Sequence, residues 1–167
     1  LSNRRKGFNE AARAMRILQN RMSEPPLLIT MGNAKGISGG GDSVRHFGFV
    51  GDPEQQAKLY AAADLFLCTT LADAQPQTAL ESIACGTPIV AFDVGPMPDI
   101  VGDESHGWIS PALTPPSLAD TIEHALSDPR RLDEVGERCR KKAEQDFSLD
   151  VQTDQYIALY KSLLSSY

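Results

Sequence analysis

Alternation constrains this chain more than any other feature. Short apolar runs take turns with segments whose apolar residues recur at helical spacing. The runs are Leu27 to Met31, Val44 to Val50, Asp64 to Cys68, Pro88 to Phe92 and Gly107 to Ser110. Before the first of them, Gly7 to Met22 sets Phe8, Ala11, Ala12, Met15 and Leu18 on one stripe and turns Arg13, Arg16 and Gln19 away, which predicts an amphipathic helix. Asp52-Pro53 supplies an N-cap and a first-turn proline for a helix carrying Ala57, Leu59, Tyr60 and Ala63. A further helix over Pro76 to Cys85 is stopped by Gly86. Leu27 to Met31 and Pro88 to Phe92 are apolar without interruption, so both predict strands buried on two faces. Strands that alternate with helices through short loops predict an α/β fold, a Rossmann-like parallel sheet sandwiched by helices, with ligands at the carboxyl ends of the strands. Ser117 to Leu126, Arg130 to Gln145 and Val151 to Leu164 then predict three consecutive helices, an all-helical C-terminal end.

Composition sets the bounds. At 167 residues, 41% of them hydrophobic, the chain suits one domain over 1–167 with a real core. A net charge of −6 argues against a nucleic-acid or anionic-membrane partner. No run approaches the roughly 20 apolar residues of a membrane span, and LSNRRKGFNE lacks the apolar core of a signal peptide, so the expected setting is cytoplasmic. Cys68, Cys85 and Cys139 form no CxxC pair, which indicates neither a disulfide framework nor a zinc site. His46, His106 and His124 are read as structural or solvated, and Arg138, Arg140, Lys141 and Lys142, interspersed with Glu137 and Glu144, as a solvated helix face. The cluster Gly36 to Gly41 fits a dinucleotide fingerprint poorly, because no convincing helix opens behind it.

The informative stretch runs from Thr70 to Val90. It begins just beyond a predicted strand, where an α/β sheet binds its ligand. Asp73 lies in the loop and Glu81 on the following helix. The N–H groups of Gln77, Thr78 and Ala79 open that helix and suit a phosphate, whereas Pro76 has none to donate. Carboxylates only accept, so Glu81 suits a pair of ribose hydroxyls and Asp73 the hydroxyls of a sugar beyond the phosphates. Two carboxylates flanking a phosphate cradle fit a nucleoside diphosphate sugar.

This stretch resembles the retaining GT-B glycosyltransferases of glycosyltransferase group 1, also called family four. Their donor domain carries two acids separated by seven residues, followed by an A-x-G-x-P-V-V type run. Glu81, Ala84, Gly86, Pro88 and Val90 match that pattern, Thr70 stands at its serine position, and Asp73 replaces the usual first glutamate. Further matches in the same order are Arg5-Lys6-Gly7-Phe8, Gly48-Phe49-Val50, Tyr60-Ala61-Ala62-Ala63-Asp64, Val94-Gly95, Pro98-Asp99-Ile100-Val101, Gly107, Tyr156 and Tyr160. The resemblance implies that Lys6 neutralises the donor diphosphate, Glu81 binds ribose, Asp73 sits at the transferred sugar and the base lies at Gly48-Phe49-Val50. Gly95 falls where the family meets the sugar with Gly-Gly, but Pro96 removes one donor there. The resemblance also implies no metal and no cofactor, an N-terminal acceptor domain and a first strand ahead of residue 1, a final helix containing Tyr156 and Tyr160 that crosses back onto that domain, and any membrane contact made only through it. The implied role is polysaccharide, lipopolysaccharide or glycolipid synthesis, with the isolated domain inactive. A regulatory nucleotide-binding module, a phosphorylase and a nucleotide-sugar epimerase are the alternatives.

Overall fold

The computed structural model describes residues 5–32, 43–74 and 76–165. The Gly36 to Gly41 cluster lies outside the described residues. In chain order the elements are α1 (Phe8–Arg21), β1 (Leu28–Thr30), β2 (Val44–His46), α2 (Pro53–Ala61), β3 (Phe66–Cys68), α3 (Gln77–Ala84), β4 (Ile89–Phe92), α4 (Met97–Val101), β5 (Gly107–Ser110), α5 (Pro115–Leu126), α6 (Pro129–Asp146) and α7 (Leu149–Leu164). The alternation expected from the sequence is therefore present, and the chain ends in three helices.

Side-chain caps set the starts of α2, α5, α6 and α7. The Asp52 carboxylate accepts from the Glu54 N–H at 3.1 Å, and that of Asp128 from Arg130 and Arg131 at 3.1 and 3.3 Å. Thr114 and Ser148 do the same for Ser117 and Val151. Proline at the first turn of α2, α5 and α6 costs no helical hydrogen bond, which moves the starts of α5 and α6 forward to Pro115 and Pro129. The five-residue α4 was not expected.

All strand pairings are parallel, but the described strands fall into two sheets, β1-β2 and β3-β4-β5. One sheet was expected. The central strand β4 is buried at all four residues, as its apolar run predicts. The run at β1 departs from the same prediction, with Leu27 just ahead of the strand 51% and Ile29 within it 38% exposed. The reason is a cavity of about 1350 Å³ that runs between β1 and β3 and is walled by Met15 of α1 and Ile122 of α5. In a parallel ladder successive residues direct their backbone groups to opposite sides. The Thr30 carbonyl accepts from Phe47 N–H on the β2 side, so the backbone of Ile29 faces the groove. Phe66 N–H donates to the Pro88 carbonyl on the β4 side, so that of Leu67 faces the groove from β3.

The core gathers around β4, where Ile89, Val90, Phe92, Trp108, Leu118, Ile122 and Val135 are buried. Helix α1 covers it through Ala14, Met15 and Leu18 and is tied to α5 by Arg21, which pairs with Asp120 and Glu123. Helix α7 buries none of its residues, and Tyr156, Ile157, Leu159, Tyr160 and Leu163 are exposed.

Candidate functional site

Three loops meet at the carboxyl ends of β3 and β4. Residues 5–7 lie against the segment that follows β3, where Leu71 N–H donates to the Arg5 carbonyl at 2.8 Å and the Thr69 hydroxyl to the Lys6 carbonyl at 3.0 Å. Gly7 adopts φ +65°, and a Cβ there would lie 1.8 Å from the Thr69 carbonyl oxygen. Only glycine permits that approach, which brings Lys6 to the mouth of the strand. On the other side Gly95, at φ +58°, holds its backbone against Asp73, with room for no Cβ: one would lie 2.4 Å from the Asp73 carbonyl oxygen.

Asp73 is thus clamped between the other two loops. Its Oδ2 accepts from Lys6 Nζ at 2.7 Å, with Asp73 17% and Lys6 54% exposed. The resemblance places Lys6 at the donor diphosphate and Asp73 at the transferred sugar, and the structure brings the two side chains into contact. Such a half-exposed pair adds little stability, about 0–1 kcal/mol, so its effect is positional. The ammonium carries three donors and can keep the aspartate while meeting a phosphate.

Helix α3 supplies the next part. Ala79, Ser82 and Ile83 are buried, which leaves Gln77, Thr78 and Glu81 on the outward face, one turn apart. The first turn has no side-chain cap. Ala79 N–H donates to the Pro76 carbonyl at 2.9 Å, so it drops out as a phosphate donor and Gln77 and Thr78 remain. Glu81 Oε2 accepts from the Tyr60 hydroxyl at 2.9 Å.

Other expected positions stand as follows. Thr70 is 3% exposed and donates its hydroxyl to the Arg5 carbonyl at 3.2 Å, so it ties its segment to the Lys6 loop. Gly48, Phe49 and Val50 form the loop at the carboxyl end of β2. The Gly48 carbonyl already accepts from Gly32 N–H at 2.7 Å and the Val50 carbonyl from Gln56 Nε2 at 2.5 Å, while the Phe49 side chain is 81% exposed. Cys68 and Cys139 are buried and Cys85 half-buried, all three free. Burial pushes the Cys139 thiol up to about 12 and that of Cys68 upward as well.

Tyr60 is the residue that sequence reasoning missed. It was read as a helix residue, and its partner Glu81 is 21 positions away, so no local pattern signals the contact. Burial, and then the hydrogen bond to Glu81, hold its hydroxyl above the ordinary phenol range, so it stays a donor at neutral pH.

Comparison with known proteins completes the description. A family model described as "Glycosyl transferases group 1" matches residues 2–146. A D-inositol 3-phosphate glycosyltransferase from Segniliparus rotundus is 34% identical over 112 residues, covering 67% of this chain and 25% of that protein. Among solved structures, sucrose-phosphate synthase from Thermosynechococcus elongatus superposes with a TM-score of 0.80 at 25% identity, over 98% of this chain and 44% of the other. The C-terminal domain of a glycosyl transferase group 1 family protein from Francisella tularensis shares the fold, with a TM-score of 0.75 and 17% identity over 87% of this chain and 82% of the other. The chain thus spans about a quarter of the curated relative and less than half of the synthase structure. Among the described residues, no helix is long and apolar enough to cross a membrane.

Proposed function

We infer from one premise, that this chain belongs to the glycosyl transferases group 1 family, that it is the donor-binding half of an enzyme moving a sugar from a nucleoside diphosphate to an acceptor. One observation carries the reading: Lys6 and Asp73 in contact at the carboxyl ends of the strands, beside the uncapped first turn of α3. In this reading the diphosphate lies between the Lys6 ammonium and the N–H groups of Gln77 and Thr78. As the bond from the anomeric carbon to the phosphate oxygen breaks, negative charge grows on the departing diphosphate, and fixed donors aimed at it lower the barrier. Lys6 and the helix dipole supply that stabilisation, and the reaction proceeds without a metal. Glu81 accepts from ribose hydroxyls, Asp73 from hydroxyls of the transferred sugar, and the base rests near Gly48 to Val50. Transfer with retention at a hexosyl donor, in the synthesis of envelope polysaccharide or glycolipid, is the finer form of the reading and rests on family likeness.

The same reading completes the fold. The groove between β1 and β3 is the seat of a strand from the polypeptide ahead of residue 1. Residues 5–7 already lie at the carboxyl end of β3, so a strand leading into them runs parallel to β3 and reaches β1 through α1 as a βαβ unit. An acceptor domain precedes that strand, the exposed face of α7 packs against it, and the catalytic cleft lies between the two halves. The 167-residue chain alone accordingly binds donor weakly and transfers nothing.

Calorimetric titration of the folded chain with UDP, GDP and ADP, each with and without a chelator, tests the reading. Saturable binding of one of them, unchanged by the chelator, is expected. Absence of binding by all three would sink the assignment.

A further inference from the structure

We propose that Tyr60 is a positioning residue for the donor nucleotide, holding one oxygen of Glu81 so that the other is presented to the ribose hydroxyls. The proposal rests on the donor-site reading above and assigns it a residue outside the two-acid pattern.

The phenol is fixed at both ends. The residue is 6% exposed, and its ring meets Phe66 edge to face with centroids 5.7 Å apart. Its backbone carbonyl accepts the Thr87 hydroxyl at 2.7 Å, and the Thr87 carbonyl accepts the Ser82 hydroxyl at 2.8 Å. Ser82 and Thr87 are 0% and 1% exposed. Ser82 lies one residue from Glu81, so the end of α2 is bolted to the helix that carries the carboxylate. Through that frame the Tyr60 hydroxyl reaches Glu81 Oε2 at 2.9 Å.

The chemical consequence concerns order. A glutamate on an outward helix face samples many rotamers, and selecting one on binding costs affinity. With Oε2 held by the Tyr60 hydroxyl, the plane of the carboxylate is set and Oε1 is left to accept. A carboxylate in a fixed plane also separates ribose from deoxyribose more sharply than a mobile one, because lost hydroxyl contacts cannot be recovered by swinging to water or to a neighbour.

The test uses the whole protein with its nucleotide-sugar donor and the 2′-deoxy analogue of that donor. Tyr60→Phe keeps the ring against Phe66 and removes only the hydroxyl. It is expected to raise KM for the donor by about tenfold, with kcat within about twofold of wild type, and to narrow the ribose-to-deoxyribose preference. In a Glu81→Ala background the same change is expected to alter KM by less than about twofold, because Tyr60 acts through the carboxylate. A Tyr60→Phe enzyme with unchanged KM and unchanged preference, alongside a Glu81→Ala enzyme that loses both, overturns the role of Tyr60 and leaves the site reading intact. If Glu81→Ala itself binds donor as wild type does, the ribose assignment falls and this inference with it. Equal losses from Tyr60→Phe in the presence and absence of Glu81 show a merely structural tyrosine and also overturn the proposal.

Discussion

Alanine at position 7 opposes two features of the Lys6 loop at once. The residue has φ +65°, a left-handed conformation that costs an L-residue about 1–2 kcal/mol. The added Cβ would also lie 1.8 Å from the Thr69 carbonyl oxygen, where ordinary contact begins at 3.4 Å, so the two backbones must part by more than an ångström. That displacement breaks the bonds from Leu71 N–H to the Arg5 carbonyl, 2.8 Å, and from the Thr69 hydroxyl to the Lys6 carbonyl, 3.0 Å. Each is worth about 1 kcal/mol net, which brings the loss to about 3–4 kcal/mol. For a domain of this size the midpoint of thermal unfolding should fall by roughly 6–16 °C. Followed by calorimetry, Gly7→Ala should show that drop together with weaker binding of the nucleoside diphosphate, because Lys6 moves with its loop. Gly7→Asn separates the two causes: asparagine tolerates left-handed φ but still carries a Cβ, so it should be nearly as damaging. A Gly7→Ala chain that unfolds within about 1 °C of wild type and binds nucleotide equally well would refute the clamp.

Other consequences are more local. Lys6→Ala should weaken a nucleoside diphosphate in a salt-dependent way and spare the nucleoside, whereas Asp73→Asn should leave the diphosphate nearly unaffected and weaken only its sugar conjugate; titrations at low and high salt tell these apart. Asp128→Ala removes the acceptor for two first-turn N–H groups of α6 and should cost about 1 kcal/mol in urea unfolding. Cys139, raised to about 12, and Cys68 should alkylate more slowly at pH 8 than half-buried Cys85, as read by mass spectrometry of the native chain. The Cys139 thiol ionises in the unfolded chain near its ordinary 9.0 and in the folded one only near 12, so its contribution is intact below pH 9 and is lost as pH rises toward 12.

Local pattern alone determined the order of elements apart from the five-residue α4, because the other helices and strands announce themselves within a dozen residues. The stripe of α1, the apolar run of β4 and the Asp52-Pro53 start of α2 all formed where spacing and capping chemistry put them. Asp73, Glu81, Gln77 and Thr78 were legible as candidates for the same reason, since helix starts and strand ends are local features, whereas Lys6 was a candidate through the family resemblance. Distances between segments were not legible. The contact of Lys6 with Asp73 spans 67 positions, and the Thr70 hydroxyl is held by the Arg5 carbonyl 65 positions earlier. The exposure of β1 likewise has no local cause, for its run reads like that of β4, and only the absence of a neighbour between β1 and β3 among the described strands distinguishes them. Burial, hydrogen-bond partners and the hold of Tyr60 on Glu81 are properties of packed surfaces. They arise when distant backbone segments meet, and only the tertiary structure decides which ones do.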